Sequence, residues 1–326
     1  MLRGYHRRVT DEMHAVGVDR PAPGTGGAGA TPGWPWIRLL RPRQWVKNGL
    51  VLAAPAAAGV LDEGQYLGRA LVIACAFCLA ASGTYCLNDA ADADADRAHP
   101  TKRHRPVAAG EISATRARQV GVLLLVLAVA VGALTGSWEV SAITATYIVL
   151  TTAYTVWLKH VPVLDIALVT SFFVLRAVAG VVGTDIPLSD WYLIVASFGA
   201  LFVVAGKRTT ELRMVDATDH RAALAGYTPG FLRYVESVAS GVALLAYCLW
   251  AFEKAALSDS SVPWFQLSIV PFVVVFLRYA LILESEDQRG PEEILLEDRQ
   301  LQVIGLVWAV IFACGVYLGH APPLTS

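Results

Sequence analysis

The run Leu67-Gly-Arg-Ala-Leu-Val-Ile-Ala-Cys-Ala-Phe-Cys-Leu-Ala-Ala-Ser-Gly-Thr-Tyr-Cys-Leu87 carries one charge, Arg69, and leads without a turn signal into Asn88-Asp-Ala-Ala-Asp-Ala-Asp-Ala-Asp96. A helix needs roughly 20 mostly apolar residues to cross a bilayer core. The first stretch therefore reads as a membrane span and the second as a polar continuation at its end. Carboxylates at a membrane end are costly unless something neutralises them.

The same signal recurs outward in both directions, in apolar runs at 48–61, 67–87, 114–135, 140–158, 162–183, 191–206, 231–252, 263–283 and 301–319. The fold class expected is all-α, a polytopic membrane bundle of about nine helices. Composition agrees: 55% of the 326 residues are hydrophobic and only 16% are charged, which excludes a disordered chain and an ordinary soluble domain. The 26 basic residues nearly cancel the 27 acidic ones, so no nucleic-acid partner is expected. Residues 1–36 read as a flexible cytoplasmic tail, since they contain no apolar signal-peptide core and end in a Gly/Pro-rich stretch. The catalytic body is expected over 37–320, with a short tail at 321–326. Cys75, Cys78, Cys86, Cys248 and Cys314 all lie in apolar runs and read as small buried side chains rather than a redox or zinc site.

Basic residues sort to one side. Arg38, Arg41, Arg43 and Lys47 precede the first run. Arg97, Lys102, Arg103, Arg105, Arg116 and Arg118 follow the second, Lys159 the fourth, and Lys207, Arg208, Arg213, Arg221 and Arg233 the sixth; Arg289 and Arg299 come before the last. Opposite connections offer only Arg69 and Lys254. Nine alternating spans reproduce this bias, so the N-terminus and the polar loops at 88–113 and 207–230 are expected in the cytoplasm, with the protein in the plasma membrane. Trp138, Trp191, Trp250 and Trp264 fall at outer span ends and Trp45 and Trp157 at inner ones, as an interfacial belt requires; Trp308 does not fit.

If the second helix runs on, a step of about 100° per residue puts Asn88, Asp92, Asp96 and Asp89 on one face, the three carboxylates within a quarter-turn, while Asp94 points elsewhere. An all-oxygen set selects a hard ion, Mg²⁺ before Mn²⁺, and Mg²⁺ keeps few protein ligands when phosphate oxygens are available. A diphosphate is the expected guest. Of Lys102, Arg103 and Arg105, framed by Pro100 and Pro106, one or two serve as a positive-inside anchor at lipid headgroups and at least one is placed to hold phosphates the metal does not reach. Within the runs, Arg176 lies deep in the fifth span, where an isolated arginine is either functional or snorkels outward. Asp165 reads as a partner of Lys159 or a substrate contact. The acidic stretch from Glu284 to Arg299 reads as a solvated loop.

Arg41-Pro-Arg-Gln-Trp-Val-Lys-Asn48, Asn88xxxAsp92xxxAsp96, Tyr154xxxxLys159 and the nine spans resemble the UbiA superfamily of intramembrane prenyltransferases. His99-Pro-Thr-Lys-Arg103, Leu158-Lys-His160, Ile186-Pro-Leu-Ser189 and Ala205-Gly-Lys-Arg208 with Glu211-Leu212 are closest to its phosphoribosyltransferase branch, which serves arabinan synthesis in the cell wall. The resemblance implies Mg²⁺ on Asn88, Asp92 and Asp96, phosphoribosyl pyrophosphate as donor and a polyprenyl (decaprenyl) phosphate as acceptor. It also implies substrate contacts from Lys47, Lys102, Arg103, Tyr154, Lys159, Arg176, Lys207, Arg208 and Glu211, and leaves room for a homo-oligomer. Aromatic prenyltransferases of the superfamily carry a second Asp-rich motif after the sixth span. Here that position reads Gly206-Lys-Arg-Thr-Thr-Glu-Leu-Arg213, so transfer of a prenyl group from a polyprenyl diphosphate to an aromatic ring is the weaker reading. A transporter is weaker still, because the charges cluster at one face instead of spreading through mid-span positions.

Overall fold

The computed structural model describes residues 34–214, 226–258, 260–285 and 291–319. Among them every regular element is helical. The first described helix is α1 (Pro35–Leu40), whose Leu39 is fully buried in a cluster with Val107 and Ala117. A 3-10 segment, Pro42–Leu52, and the short α2, Ala53–Ala57, follow. The long helices are α3 (Gly64–Ala91), α5 (Ala114–Ala133), α6 (Trp138–Val156), α7 (Leu164–Gly183), α8 (Asp190–Met214), α9 (Pro229–Ala256), α10 (Trp264–Glu284) and α12 (Arg299–Leu318). Two short ones lie at one end of the bundle, α4 (Ala93–Ala98) and α11 (Pro291–Glu297).

Seven helices, α3, α5, α7, α8, α9, α10 and α12, are long and apolar enough to cross a membrane. The run at 140–158 forms α6, whose threonines make it less apolar. Thr144, Thr151, Thr152 and Thr155 each turn the hydroxyl back onto the carbonyl four residues earlier, so the polarity is satisfied inside the helix. The run at 48–61 departs from the expected regular helix. Its polar Asn48 and Pro55 are paired or packed individually, and the long 3-10 stretch is unusual for a geometry that rarely exceeds a turn.

Consecutive long helices pack antiparallel, and small residues set the closest approaches. Gly83 on α3 and Gly121 on α5 leave no room for a Cβ, which would sit 2.9 Å from the Gly121 carbonyl oxygen. Gly180 on α7 is tighter: a Cβ there would stand 2.2 Å from the Val51 carbonyl oxygen, so the 3-10 backbone lies directly on α7. Ile73, Phe77, Ala128, Val140, Tyr147, Phe172 and Ala179 fill the space among α3, α5, α6 and α7.

At the opposite end of the bundle from the acidic motif, Tyr247, Trp250, Phe265, Phe272, Trp308 and Phe312 form an aromatic cluster beside an apolar cavity of about 510 Å³. This corrects the belt assignment of Trp250, which is buried against Phe265 and Phe312. It also explains Trp308, which points inward and donates to the Tyr247 hydroxyl at 2.8 Å. Cys75 departs from the buried reading as well; it is exposed on the outer surface of α3. Of the acidic stretch expected as a solvated loop, residues 286–290 lie outside the described residues, and 291–297 form the helix α11 instead. Ile294 of α11 is buried, and Asp298 caps α12 through the Leu301 amide while pairing with Arg278 at 2.7 Å.

Candidate active site

Alternation of the long helices brings the C-terminal ends of α3, α6 and α8 and the N-terminal end of α7 to one end of the bundle. Two charged networks form there.

The first is built on α3 and α4. The helix does run on past Leu87, reaching Ala91, and after a break at Asp92 it resumes as α4. Hydrogen bonds from the Asp92 amide to Asn88 and from the Asp96 amide to Asp92 keep the turn spacing through the break. Asn88 and Asp92 are half-buried and Asp96 is buried, whereas Asp94 is exposed and, among the described residues, pairs with Arg97 on the outer surface. Asp89 is the deepest of the group, at 1% exposure. Its Oδ1 accepts from Arg41 at 2.7 Å and from Arg105 at 3.4 Å, and the same Arg105 nitrogen reaches Asp96 Oδ2 at 2.8 Å. Both arginines remain more than a quarter exposed. Arg41 holds a left-handed backbone (φ 52°) and lays its guanidinium over the Tyr85 ring. That conformation is strained for a non-glycine residue.

The second network sits between α6, α7 and α8. The structure extends α8 to Met214, so Lys207, Arg208 and Glu211 are helical rather than the start of a loop. Arg208, 2% exposed, donates to Asp165 Oδ2 at 2.6 Å and Oδ1 at 2.9 Å, to Glu211, and to the Tyr154 hydroxyl at 3.2 Å. Tyr154 in turn donates to Asp165 at 2.7 Å. Asp165 is thus paired with Arg208 and not with Lys159, which stands half-buried in the 3-10 turn Leu158–His160. Just before α7 the backbone is strained at Val163 (φ 69°), and its amide donates to the Tyr227 hydroxyl at 2.8 Å. Burial pushes the Tyr227 hydroxyl above its usual pKa, partly offset by the hydrogen bond it accepts from that amide.

Arg176 neither snorkels outward nor reaches a carboxylate among the described residues. It is 5% exposed, donates to Asn48 at 2.7 Å, the Phe172 carbonyl at 2.6 Å and the Tyr147 hydroxyl at 2.9 Å, and lies over the Tyr147 ring at 4.7 Å. It therefore ties α7 to α6 and to the 3-10 segment. Lys47, on that segment, donates to Gln44 at 2.7 Å. Lys102 and Arg103 lie on the 3-10 turn Lys102–His104, the former half-buried and the latter exposed beside His104. The 207–230 stretch is described only up to Met214 and from Gly226, so Arg221 lies outside the described residues.

The ion pairs that join Asp89 to Arg41 and Arg105 were not foreseen from sequence. The helical-face argument did put Asp89 near Asn88 and Asp96, and Arg41 opens the quoted Arg41–Asn48 motif; what was missing was the pairing, which depends on how the chain folds across 48 and 16 residues.

As to metal, no three Asp, Glu, His or Cys side chains among the described residues converge into a cage. Mg²⁺ does not require one, since it takes one or two carboxylates and completes its shell with water and phosphate. Half-buried Asn88 and Asp92 beside buried Asp96 form an oxygen-donor set that fits such an ion, and behind them Asp89 Oδ2 is sealed from solvent with no hydrogen bond among the described residues.

A polytopic helical bundle with an acidic, arginine-lined end is the architecture of an intramembrane transferase. Residues 49–297 match the UbiA prenyltransferase family, and the chain belongs to that family. It is similar to the decaprenyl-phosphate phosphoribosyltransferase of Corynebacterium glutamicum, 42% identical over 288 residues that cover 86% of each chain. The enzyme of the same name from Mycobacterium tuberculosis is 41% identical over 293 residues, covering 87% of this chain and 94% of its own. In fold the chain resembles a UbiA homolog from Archaeoglobus fulgidus bound to DMAPP and Mg²⁺, with TM-score 0.66 and 18% identity over 87% of this chain and 99% of that one.

Proposed function

We propose that this protein is an enzyme that transfers 5-phosphoribose from phosphoribosyl pyrophosphate to a polyprenyl phosphate, of the decaprenyl class, releasing pyrophosphate. The observation that carries the reading is the 41–42% identity to enzymes of that name over most of the chain. The second network supports it, because a buried arginine with Glu211 stands where aromatic prenyltransferases carry a second acidic motif.

The acceptor needs no strong base. A phosphomonoester with a second pKa near 6 is largely dianionic at neutral pH, so its oxygen is already nucleophilic. That oxygen attacks the ribosyl C1 as the C1–O bond to pyrophosphate breaks and the electron pair leaves with pyrophosphate. Asn88, Asp92 and Asp96 would hold a divalent ion, which when bound neutralises charge on the diphosphate. Lys102, Arg103 and Lys207 bind phosphate oxygens, Lys159 holds the 5-phosphate or a ribose hydroxyl, and Lys47 meets the lipid phosphate at the membrane surface. Tyr154 and Glu211, held by Arg208, present a fixed wall to the sugar. Arg176 keeps the segment bearing Lys47 in place.

The topology is nine crossings in the plasma membrane with the N-terminus and active site cytoplasmic. The N-terminal crossing works with few residues because a 3-10 helix rises about 2.0 Å per residue against 1.5 Å in an α-helix, so Pro42–Ala57 spans roughly 30 Å.

The test is to supply membranes with Mg²⁺, labelled phosphoribosyl pyrophosphate and decaprenyl phosphate. Label should enter the lipid phase. Absence of that product, together with prenylation of an aromatic acceptor from polyprenyl diphosphate, would contradict the reading.

A further inference from the structure

The first network contains a residue with no substrate role in the reading above. Asp89 lies at the base of the site, 1% exposed, with one oxygen shared by two arginines from distant parts of the chain. Arg41 comes from the strained junction between α1 and the 3-10 segment, and Arg105 from the loop after α4. One nitrogen of Arg105 bridges Asp89 and Asp96. The second Asp89 oxygen is sealed and makes no hydrogen bond among the described residues. Buried acceptors are rarely left open, and those that are call for an explanation. A surface salt bridge would contribute little, but this one is anchored on a buried carboxylate that would be left exposed to severe desolvation if its arginines moved away.

We propose that Asp89 is a positioning residue. It fastens Arg41 and Arg105 to one anchor and, through Arg105, fixes the carboxylate of Asp96, one of the acids assigned to the metal, in the orientation a divalent ion requires. The arrangement is that of a residue behind a metal ligand, whose loss typically costs 10–100-fold in affinity or activity. The Arg41 strain has a purpose in the same scheme, since the left-handed turn aims that side chain at Asp89 from the N-terminal segment. The inference rests on the assignment of Asp92 and Asp96 to the metal.

The experiment uses the full-length protein in detergent, with Mn²⁺ as a spectroscopic stand-in. Free Mn²⁺ is followed by electron paramagnetic resonance in the presence of phosphoribosyl pyrophosphate, and kcat and KM are measured in parallel. Asp89→Asn should weaken Mn²⁺ binding about 10–100-fold. Arg41→Ala should lower kcat/KM about tenfold in the native background and less than twofold when added to Asp89→Asn, because both changes cut one link. Asp89→Glu, which keeps the charge, should recover part of the Mn²⁺ affinity. Native Mn²⁺ affinity in Asp89→Asn, or losses that multiply in the double variant, would overturn the proposal. Should Asp89→Asn fail to fold, Arg105→Gln reads the same link: at least fivefold weaker Mn²⁺ binding supports it and native affinity overturns it. Asp92→Asn separates the two layers. If it alone binds Mn²⁺ natively, the metal assignment falls and this inference with it; if it loses binding while Asp89→Asn does not, only this inference falls.

Discussion

The two charged networks use the same residue types to opposite ends. In the first, Arg41 and Arg105 are held by Asp89 yet stay more than a quarter exposed, and Asp92 has no ion pair among the described residues. In the second, Arg208 and Asp165 are each at most 3% exposed at the side chain, and Nε, Nη1 and Nη2 of Arg208 are all engaged by protein. Guanidinium groups that face water on one side can exchange partners when an anion arrives; one enclosed by its own carboxylates cannot do so cheaply. On the proposed function, the first network is the working end of the site, and the Arg208–Asp165 pair of the second is a frame that fixes Tyr154, Glu211 and the start of α7.

That contrast can be broken by mutation. The largest effect should come from Asp92→Asn, which leaves the fold intact and lowers turnover by more than about a hundredfold, a loss beyond that of residues behind a metal ligand; steady-state transfer assays check it. Next, Asp165→Asn takes from the buried Arg208 the carboxylate that accepts two of its hydrogen bonds, leaving Glu211 as its remaining ion-pair partner among the described residues, and should destabilise the protein by about 3 kcal/mol, read as a lower melting temperature in detergent. Arg105→Gln, its counterpart in the first network, should shift melting far less while weakening catalysis. If the two exchanged these signatures, the division into working end and frame would be wrong. Gly180→Ala should cost about 1–3 kcal/mol from overpacking against the Val51 carbonyl, again visible in melting. Smallest of all, Asp94→Asn removes only an exposed pair with Arg97 and should change activity by less than about twofold.

Much of this arrangement is legible in residue order, because period and composition carry it. Apolar runs mark the long helices, and a helix extended past Leu87 separates Asp94 from Asn88, Asp92 and Asp96. What the order of residues does not carry is pairing between distant segments. Asp165 lies six residues from Lys159 and 43 from Arg208, yet it is Arg208 that the antiparallel packing of α7 and α8 brings to it. Arg176 looks like a stranded charge until Asn48, 128 residues earlier, is laid beside it by the close contact of Gly180 with Val51. Trp250 and Trp308 read as interface markers or misfits in a list of span ends; the burial of Trp250 and the half-burial of Trp308 follow from three helices meeting around Tyr247. The 3-10 geometry of Pro42–Leu52 has no strong local signal beyond its leading proline.

The most direct measurement compares Mg²⁺-dependent transfer of labelled phosphoribose to decaprenyl phosphate in membranes bearing the native protein, Asp92→Asn or Asp94→Asn at matched expression. The account predicts label in the lipid phase for the native protein and Asp94→Asn and none above background for Asp92→Asn; equal labelling by all three, or equal loss in both variants, would contradict it.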